Sequence, residues 1–218
     1  ILDFLKFNFL KFDPVFQKIM NERDPERGLT VTQDESYTIY SSVLSTNLLA
    51  GAIAEVGVYQ GTTARLISEI KGEKKLFLFD TFEGMPNEKI SNQDDWELNT
   101  HRDTSLESVK TYLSSYEHLI FVPGQFPESL KNDRFRSIQD EVFSLVNLDV
   151  DLYQSTLDGL EFFYPRLVAG GRLISHNYNL KGSPGGRTPG VKKAFSDYFS
   201  GEKYRVIEIA ETQCMVIK

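Results

Sequence analysis

Two aspartates, Asp149 and Asp151, follow the apolar run Phe143–Leu148 in the stretch "VNLDVDLYQSTLDG". Side chains two positions apart point the same way while a strand lasts, so both carboxylates can address one site. Carboxylates at such a place are suited to removing a proton or to binding a hard cation. The structural alternative is that Asp149 caps the following turn and Asp151 caps a helix that starts near Ser155.

A second group of candidate residues follows two other apolar runs. The string "AEVGVYQGTTARL" carries Glu55, Gly57 and Gly61 before a helix predicted to start at about Thr62. Glycines there let the backbone approach a ligand and turn tightly. The next run, "LFLFDTFEG", ends in Asp80, and an acidic side chain about twenty residues beyond such glycines can accept both hydroxyls of a ribose. The pattern therefore predicts a nucleotide site.

The glycine spacing limits what kind of nucleotide site this is. E-x-G-x-x-x-G differs from the G-x-G-x-x-G of a dinucleotide cradle, so no phosphate cradle is predicted and a nicotinamide oxidoreductase is disfavoured. A third string, "VPGQFPESL", places Gly124 and Gln125 where they would border the adenine. A glycine pair after one strand is by itself only a tight turn, but three strand ends agree here.

These residues need a sheet whose strands end together. Short β-branched or aromatic runs alternate with longer amphipathic stretches, as in βαβ units. The predicted strands are Ile53–Val58, Leu76–Phe79, Ile120–Val122, Phe143–Leu148 and Arg172–Ser175, then an antiparallel pair, "YRVIEIA" and "TQCMVIK". The predicted helices begin after Thr32, in a capping box with Glu35, and then span Thr62–Ile70, Ser105–Ser115, Ser155–Leu167 with a Gly170-Gly171 C-cap, and "VKKAFSDYFS". The fold class is therefore α/β, a seven-stranded, mostly parallel, doubly wound sheet with an antiparallel strand near one edge.

Composition narrows the function classes. The chain has 218 residues, 40% of them hydrophobic, and a formal charge of -7. We expect a single domain, with an N-terminal helical segment over residues 1–47 and the core over 48–218. Because no Lys/Arg-rich block occurs, neither nucleic acid nor a membrane is a predicted partner, and a neutral or cationic small molecule is favoured.

Two further features bear on location and assembly. A lone cysteine, Cys214, favours a reducing, cytoplasmic compartment. The aromatic N-terminal stretch "ILDFLKFNFLKFDPVFQKIM" contains too many charges for a signal-peptide core or a membrane span. We interpret it as an amphipathic docking segment, which could supply the interface of a homo-oligomer.

The sequence resembles the macrocin O-methyltransferase family in five strings between Thr30 and Phe195: "AEVGVYQGTTARLI", "LFLFDTFEGMP", "GQFPESL", "LDVDLYQSTLDGLEFFYPRLVAGGRLISHNYN" and "PGVKKAF". The family methylates sugar hydroxyls on macrolides and aminocoumarins. The resemblance implies a Rossmann-like methyltransferase fold, S-adenosylmethionine as cofactor and often a magnesium ion. It implies that the cofactor contacts Glu55, Gly57, Tyr59, Gly61, Thr62, Asp80, Gly124, Gln125 and Asp149, with Asp80 on the ribose. It also implies that Asp149 is a magnesium ligand and Asp151 the general base.

The chain departs from the family pattern where further metal ligands should stand. After the fifth strand it reads "SHNYN", with His176 and Asn177 where the family tends to carry Asp-Asp or His-Asp. A metal set of Asp149, His176 and Asn177 would hold magnesium more weakly than three carboxylates. His176 could instead bind a softer metal or act as a second catalytic base beside Asp151. The structural alternative is a histidine hydrogen-bonded to backbone.

Three segments are predicted to cover the cleft. The polar stretch Asn87–Asp103 is interpreted as a lid with Trp96 as its anchor, and Lys181–Gly190 would carry Arg187 toward an acidic or carbonyl group of the acceptor. The "RGLTVT" segment near Thr30 would close over the methionine end. Solvated connecting loops are the alternative for both long segments.

The sequence thus predicts an S-adenosylmethionine-dependent O-methyltransferase that acts on a hydroxyl of a sugar or other small polar natural product. The acceptor would be a hydroxylated small molecule. The competing hypothesis is a noncatalytic or lapsed methyltransferase-fold protein that binds the nucleotide cofactor without turnover, because the expected partner aspartate is replaced by Asn177.

Overall fold

A sheet of seven strands organises the residues that the computed structural model describes, which are 13–27, 30–97, 99–179, 189–200, 205–210 and 212–218. The strands are β1 (Ala52–Val56), β2 (Leu76–Asp80), β3 (Leu119–Pro123), β4 (Phe143–Leu148), β5 (Leu167–Ser175), β6 (Ile207–Glu208) and β7 (Cys214–Ile217). Their spatial order is β3-β2-β1-β4-β5-β7-β6, and β1 to β5 run parallel while β7 is antiparallel to both β5 and β6. The predicted α/β sheet is therefore confirmed.

Helices cover both faces of this sheet. They are α1 (Pro14–Asn21), α2 (Gln33–Thr46), α3 (Thr62–Ser68), α4 (Leu106–Tyr112), α5 (Tyr153–Arg166) and α6 (Pro189–Tyr198), with short 3-10 helices at Asn87–Lys89, Glu128–Lys131 and Asp133–Asp140. The first four pack on one face and α5 and α6 on the other. Successive residues of β1, such as Ile53 and Ala54, enter opposite core clusters, which is why the central strands read as continuous apolar runs.

Local signals set several helix starts as predicted. Thr32 and Glu35 form a reciprocal capping box at α2, and Ser105 caps α4 by accepting from the backbone N–H of Ser108. Helix α3 begins at Thr62, directly after Gly61, whose φ of +84° is left-handed. Helix α5 begins two residues before the predicted Ser155, and its N-cap residue, Leu152, makes no side-chain cap bond.

The predicted C-cap at Gly170-Gly171 is wrong. Helix α5 ends at Arg166, and β5 runs from Leu167 straight through both glycines. A Cβ on Gly171 would lie 2.8 Å from the Val168 carbonyl oxygen and 3.2 Å from that of Phe143. Gly171 therefore allows close backbone approach within β5 and to β4, where the strand register shifts, and Gly170 takes a left-handed φ of +77° inside the strand rather than at a helix end.

The N-terminal docking segment is only partly covered by the described residues. Helix α1 buries Phe16 and Ile19 against the face that α2 also covers, and Asp13 caps it through the backbone N–H groups of Val15 and Phe16. Residues 1–12 lie outside the described part. Among the described residues, no helix is both long and apolar enough to cross a membrane.

Candidate functional site

A cleft of about 350 Å³ opens where β1, β2, β4 and β5 end at their carboxyl edge. Loops at this edge of a doubly wound sheet converge on one ligand site. The predicted site residues that line the cleft are Gly57, Tyr59, Asp80, Gly124, Gln125, Asp149, Asp151, His176 and Asn177. Thr30, Trp96 and His101 line it as well.

Gly57 joins the ends of three neighbouring strands. Its backbone N–H donates to the Phe79 carbonyl at 2.9 Å, and the Asp149 N–H donates to the Val56 carbonyl at 2.8 Å. Gly57 has a φ of +91°, and a Cβ added to it would lie 1.8 Å from the Asp149 carbonyl oxygen. Only glycine fits, because any side chain would push the β1 loop away from β4.

Asp80 is held rigidly by the loop that follows β1. The backbone N–H groups of Val58 and Tyr59 donate to its Oδ2 at 2.7 and 2.8 Å, and that of Phe82 donates to its Oδ1 at 2.7 Å. A carboxylate offers about four acceptor positions, so these bonds fix the group and leave capacity for a ligand hydroxyl. The geometry is compatible with the predicted ribose contact.

Glu55 lies beneath the cleft rather than in its lining. It is 1% exposed, Asn147 Nδ2 donates to its Oε1 at 3.2 Å, and its Oε2 has no hydrogen-bond partner among the described residues. Burial, together with the nearby charges of Asp149 and Asp80, raises the pKa of Glu55 well above its usual value. Glu55 therefore lies under the cleft floor in surroundings that disfavour its charged form.

Gly61 and Thr62, also predicted to contact the cofactor, belong to the start of α3 and are not part of the cleft lining. A Cβ on Gly61 would lie 3.0 Å from Val109 of α4. The structure therefore gives Gly61 a packing reason to be glycine.

At the other end of the cleft, Gly124 and Gln125 form the wall beyond β3, where the Gly124 N–H donates to the Asp80 carbonyl at 2.9 Å.

Asp151 lies on the cleft wall, and its backbone is in the left-handed region. Its φ is +62°, and its side chain is 14% exposed. Asn177 Nδ2 donates to its Oδ1, and His101 Nε2 lies 3.8 Å from its Oδ2. Burial and the neighbouring Asp149 charge raise the pKa of Asp151 to about 7, although His176 and Asn177 oppose the rise. The Asp151 carboxyl can therefore gain or lose a proton near neutral pH.

His176 stands between two carboxylates. Its Nε2 lies 3.1 Å from Glu35 Oε2, and its Nδ1 lies 3.4 Å from Asp149 Oδ1. Burial disfavours a charged ring, but Asp149 and Glu35 raise the pKa of His176 well above its usual value. A ring protonated on both nitrogens has no lone pair, so this arrangement is unfavourable for the predictions that His176 is a base or a metal ligand.

The side chains at this edge do not fit a divalent metal ion. Among the described residues, no group of three or more His, Cys, Asp or Glu side chains could hold one. Asp149 is engaged by His176, and Asn177 turns its amide N–H toward Asp151. The predicted set of Asp149, His176 and Asn177 therefore presents a cation and an N–H group where magnesium needs oxygen ligands.

The predicted lid covers the cleft, but its anchors differ from the prediction. Lys89 Nζ donates to Asp158 Oδ2 at 2.5 Å and to the Phe126 carbonyl at 2.7 Å, and Asp94 accepts from the Tyr153 N–H at the start of α5 at 2.7 Å. These two residues fasten the lid. Trp96 instead faces His101, with ring centroids 5.6 Å apart, and lines the cleft. Arg187 lies outside the described residues.

Two residues of the site were not identified from the sequence. The sequence indicated Glu35 only as part of a capping box, and His101 only as one residue of the predicted lid, Asn87–Asp103. Glu35 reaches the site because α2 packs on β4 and β5, a placement that no local pattern encodes. The polar, aromatic composition of the lid was the only available signal for His101.

Comparison with known proteins places these features in a family. The sequence model of the macrocin-O-methyltransferase (TylF) family matches residues 34–200. The mycinamicin III 3''-O-methyltransferase of Micromonospora griseorubida is 31% identical over 167 residues, which are 68% of this chain and 60% of that protein. A tetracenomycin-C 4'-O-methyltransferase of Streptomyces olivaceus, named for a dimethoxyrhamnosyl substrate, is 30% identical over 145 residues, 60% of this chain and 54% of its own length.

A solved structure, that of the O-methyltransferase NovP, shares the fold with a TM-score of 0.69 at 21% identity, covering 87% of this chain and 81% of NovP. The chain spans 54% to 60% of the length of the two curated relatives described above. Because the family match runs from Asp34, at the start of α2, to Ser200, just beyond α6, the chain belongs to the macrocin-O-methyltransferase (TylF) family.

Proposed function

We propose that the protein transfers a methyl group from S-adenosylmethionine to a hydroxyl of a sugar or another small polar natural product, with Asp151 as the general base. The observation that carries this proposal is the position of Asp151. A largely buried carboxylate stands on the wall of the same cleft whose far side is formed by Gly57, Asp80 and Gly124.

The cofactor half of the cleft, formed by Gly57, Tyr59, Asp80, Gly124 and Gln125, fits S-adenosylmethionine. Gly57 leaves open backbone beside the strand ends, and the fixed Asp80 carboxylate retains acceptor capacity for ribose hydroxyls. Gly124 and Gln125 close the far wall. When bound, the cofactor supplies an electrophilic methyl group on a sulfonium sulfur.

The acceptor half of the cleft is lined by His101, Asp149, Asp151 and His176, with the buried Glu35 behind His176, and it supplies the proton chemistry. An aliphatic hydroxyl is a weak nucleophile until its proton leaves. Asp151 accepts that proton on a carboxylate oxygen while the acceptor oxygen bonds to the methyl carbon and the sulfur–carbon bond breaks. The products are a methyl ether, S-adenosylhomocysteine and a protonated Asp151, which returns its proton to solvent.

The class of acceptor follows from the cleft walls and from the relatives. Tyr59, Trp96 and His101 form an aromatic wall beside Asp151, and such rings pack well against the apolar faces of small polar ligands. The formal charge of -7 favours neutral or cationic acceptors. The names of the two relatives, which describe O-methylation of mycinamicin III and of a rhamnosyl-tetracenomycin, support a glycosylated acceptor.

Calorimetry tests the cofactor assignment first. We expect S-adenosylhomocysteine to bind, NAD not to bind, and Asp80→Ala to abolish the binding, whereas Asp133→Ala, at an exposed surface position, leaves it unchanged. Absence of S-adenosylhomocysteine binding would overturn the proposal. Transfer of an isotopically labelled methyl group to a panel of deoxysugar glycosides then tests turnover, and binding without transfer to any of them would favour the noncatalytic alternative.

A further inference from the structure

A row of three ionisable side chains, the buried Glu35 and the largely buried His176 and Asp149, runs from α2 into the acceptor half of the cleft. Glu35 is 1% exposed, and His176 bridges it to Asp149 through its two ring nitrogens, at 3.1 and 3.4 Å. The far end is fixed as well. Glu35 Oε1 accepts from the Thr212 N–H and hydroxyl at 3.1 and 2.6 Å, and its Oε2 accepts from the Thr32 N–H at 2.9 Å. These three side chains therefore cannot rearrange without breaking several hydrogen bonds and ion pairs.

The charge of the ring follows from these contacts. Each ring nitrogen faces a carboxylate oxygen, and an ionised carboxylate can only accept, so with Glu35 and Asp149 ionised both ring nitrogens carry protons. A buried carboxylate without a cationic partner would be costly, and Glu35 has His176 as that partner. Although burial opposes its ionisation, the bond to His176 and its charge lower the pKa of Glu35 to about 2.

A fixed cation at this position excludes a second one. A divalent ion bound by Asp149 would have to displace the His176 ring and approach it at close range, and Asp151 already accepts from Asn177. Removing His176 from Asp149 would also leave the ring and Glu35 partly unpaired in the interior. Both effects oppose metal binding by Asp149, the carboxylate that the family resemblance assigns to magnesium.

We propose that this protein binds no divalent cation in its active site, and that Glu35 is a positioning residue that holds His176 as a permanent internal cation against Asp149. The role of this fixed charge in catalysis rests on the proposed function. A fixed positive charge beside Asp151 offsets the negative charge that develops on the acceptor oxygen as its proton leaves. The charge lies on His176, directly after β5, but the residue that holds it there, Glu35, lies on α2 and not at a strand end.

Metal binding is tested with Mn²⁺, detected by electron paramagnetic resonance, using the full chain saturated with S-adenosylhomocysteine. We expect the wild-type spectrum to remain that of free Mn²⁺ at millimolar concentration, and the double substitution His176→Asp/Asn177→Asp to create binding. Stoichiometric binding by the wild type that Asp149→Asn removes would overturn the proposal. Calorimetry on the same samples shows whether S-adenosylhomocysteine binds. Its binding tests the proposed function, and Mn²⁺ binding tests the metal inference, so the two can fail separately.

The role of Glu35 is tested by the ¹⁵N spectrum of histidine-labelled protein at neutral pH, which is simple because the chain has three histidines. In the wild type, the ring that disappears in His176→Gln should show two protonated nitrogens. Glu35→Gln, which preserves size but removes charge, should leave one of them unprotonated. The matched control Thr212→Val removes one bond to Glu35 and should leave the ring doubly protonated.

Unchanged S-adenosylhomocysteine affinity shows that each variant is folded. A folded Glu35→Gln protein whose His176 ring still carries two protons would show that Glu35 does not set the charge. A singly protonated His176 ring in the wild-type protein would overturn the internal cation itself, whatever the Glu35→Gln variant shows.

Discussion

The two halves of the cleft are built in different ways. The cofactor half depends on backbone groups from adjacent strands: Gly57 packs against the Asp149 carbonyl, and the amides after β1 hold Asp80. The acceptor half depends on ionised side chains that come from distant parts of the chain, such as Glu35 and His176. One half depends on steric fit and the other on buried charge. Substitutions in the first should therefore lower stability, and those in the second should change ionisation and catalysis.

The largest effect is expected for Gly57→Ala. Its Cβ would overlap the Asp149 carbonyl, and its φ of +91° is strained for any L residue, so we expect a loss of more than about 3 kcal/mol of unfolding free energy. Gly72→Ala is the matched control, because its φ is also positive, +58°, but no atom lies within 4 Å of the added Cβ. It should cost about 1 kcal/mol. Urea unfolding measures both, and similar losses would contradict the steric account of the cofactor half.

Asp151→Asn should separate catalysis from cofactor binding. Loss of the general base should lower kcat by at least about 100-fold, while the affinity for S-adenosylhomocysteine stays within about twofold. Asp197→Asn, on the surface of α6, is the control with no expected effect on kcat. Calorimetry and labelled-methyl transfer to an accepted glycoside measure the two quantities. An unchanged kcat would assign the base to another residue.

The pH dependence of kcat/KM should report the same carboxylate. Because Asp151 must be ionised to accept a proton and its pKa is raised to about 7, the rate should climb with pH through neutrality and fall about tenfold per unit below it. Because kcat/KM reports the ionisation of the free protein, the acidic limb should reflect the Asp151 pKa that burial raises. A rate that is flat between about pH 5 and pH 8 would contradict this assignment.

The smallest effect is expected for Glu55→Gln. The pKa of Glu55 is raised in the folded chain, so the unfolded chain ionises first, and wild-type stability falls as pH rises above the ordinary value of 4.5. The glutamine variant escapes this loss and should gain on the order of 1 kcal/mol at alkaline pH, with a smaller gain near pH 5. Urea unfolding at both pH values measures the difference. A strong loss of S-adenosylhomocysteine affinity would instead return Glu55 to the cofactor half, as the sequence resemblance implied.

How much could be predicted depended on how local each signal is. The order of strands, the helix start at Thr62 and the strand-end position of Asp80 follow from periodicity and turn residues within short windows. Gly170 and Gly171 were misread because a glycine pair after a helix suits both a cap and a strand that passes close to its neighbour, and only the packing of β5 on β4 distinguishes them.

The sequence by itself determined the α/β sheet and the cofactor half of the cleft, because adjacent parallel strands bring their own ends together and glycine and aspartate types reveal what those ends must do. Only the tertiary structure decided the state of the acceptor half. Burial opposes a charge on His176 while the nearby Asp149 and Glu35 carboxylates favour it, and the charge of Asp151 depends on its burial and on Asp149. Ionisation in an interior is set by which charges lie within a few ångströms, and for Glu35 and His176 that distance is created by the fold rather than by their separation along the chain.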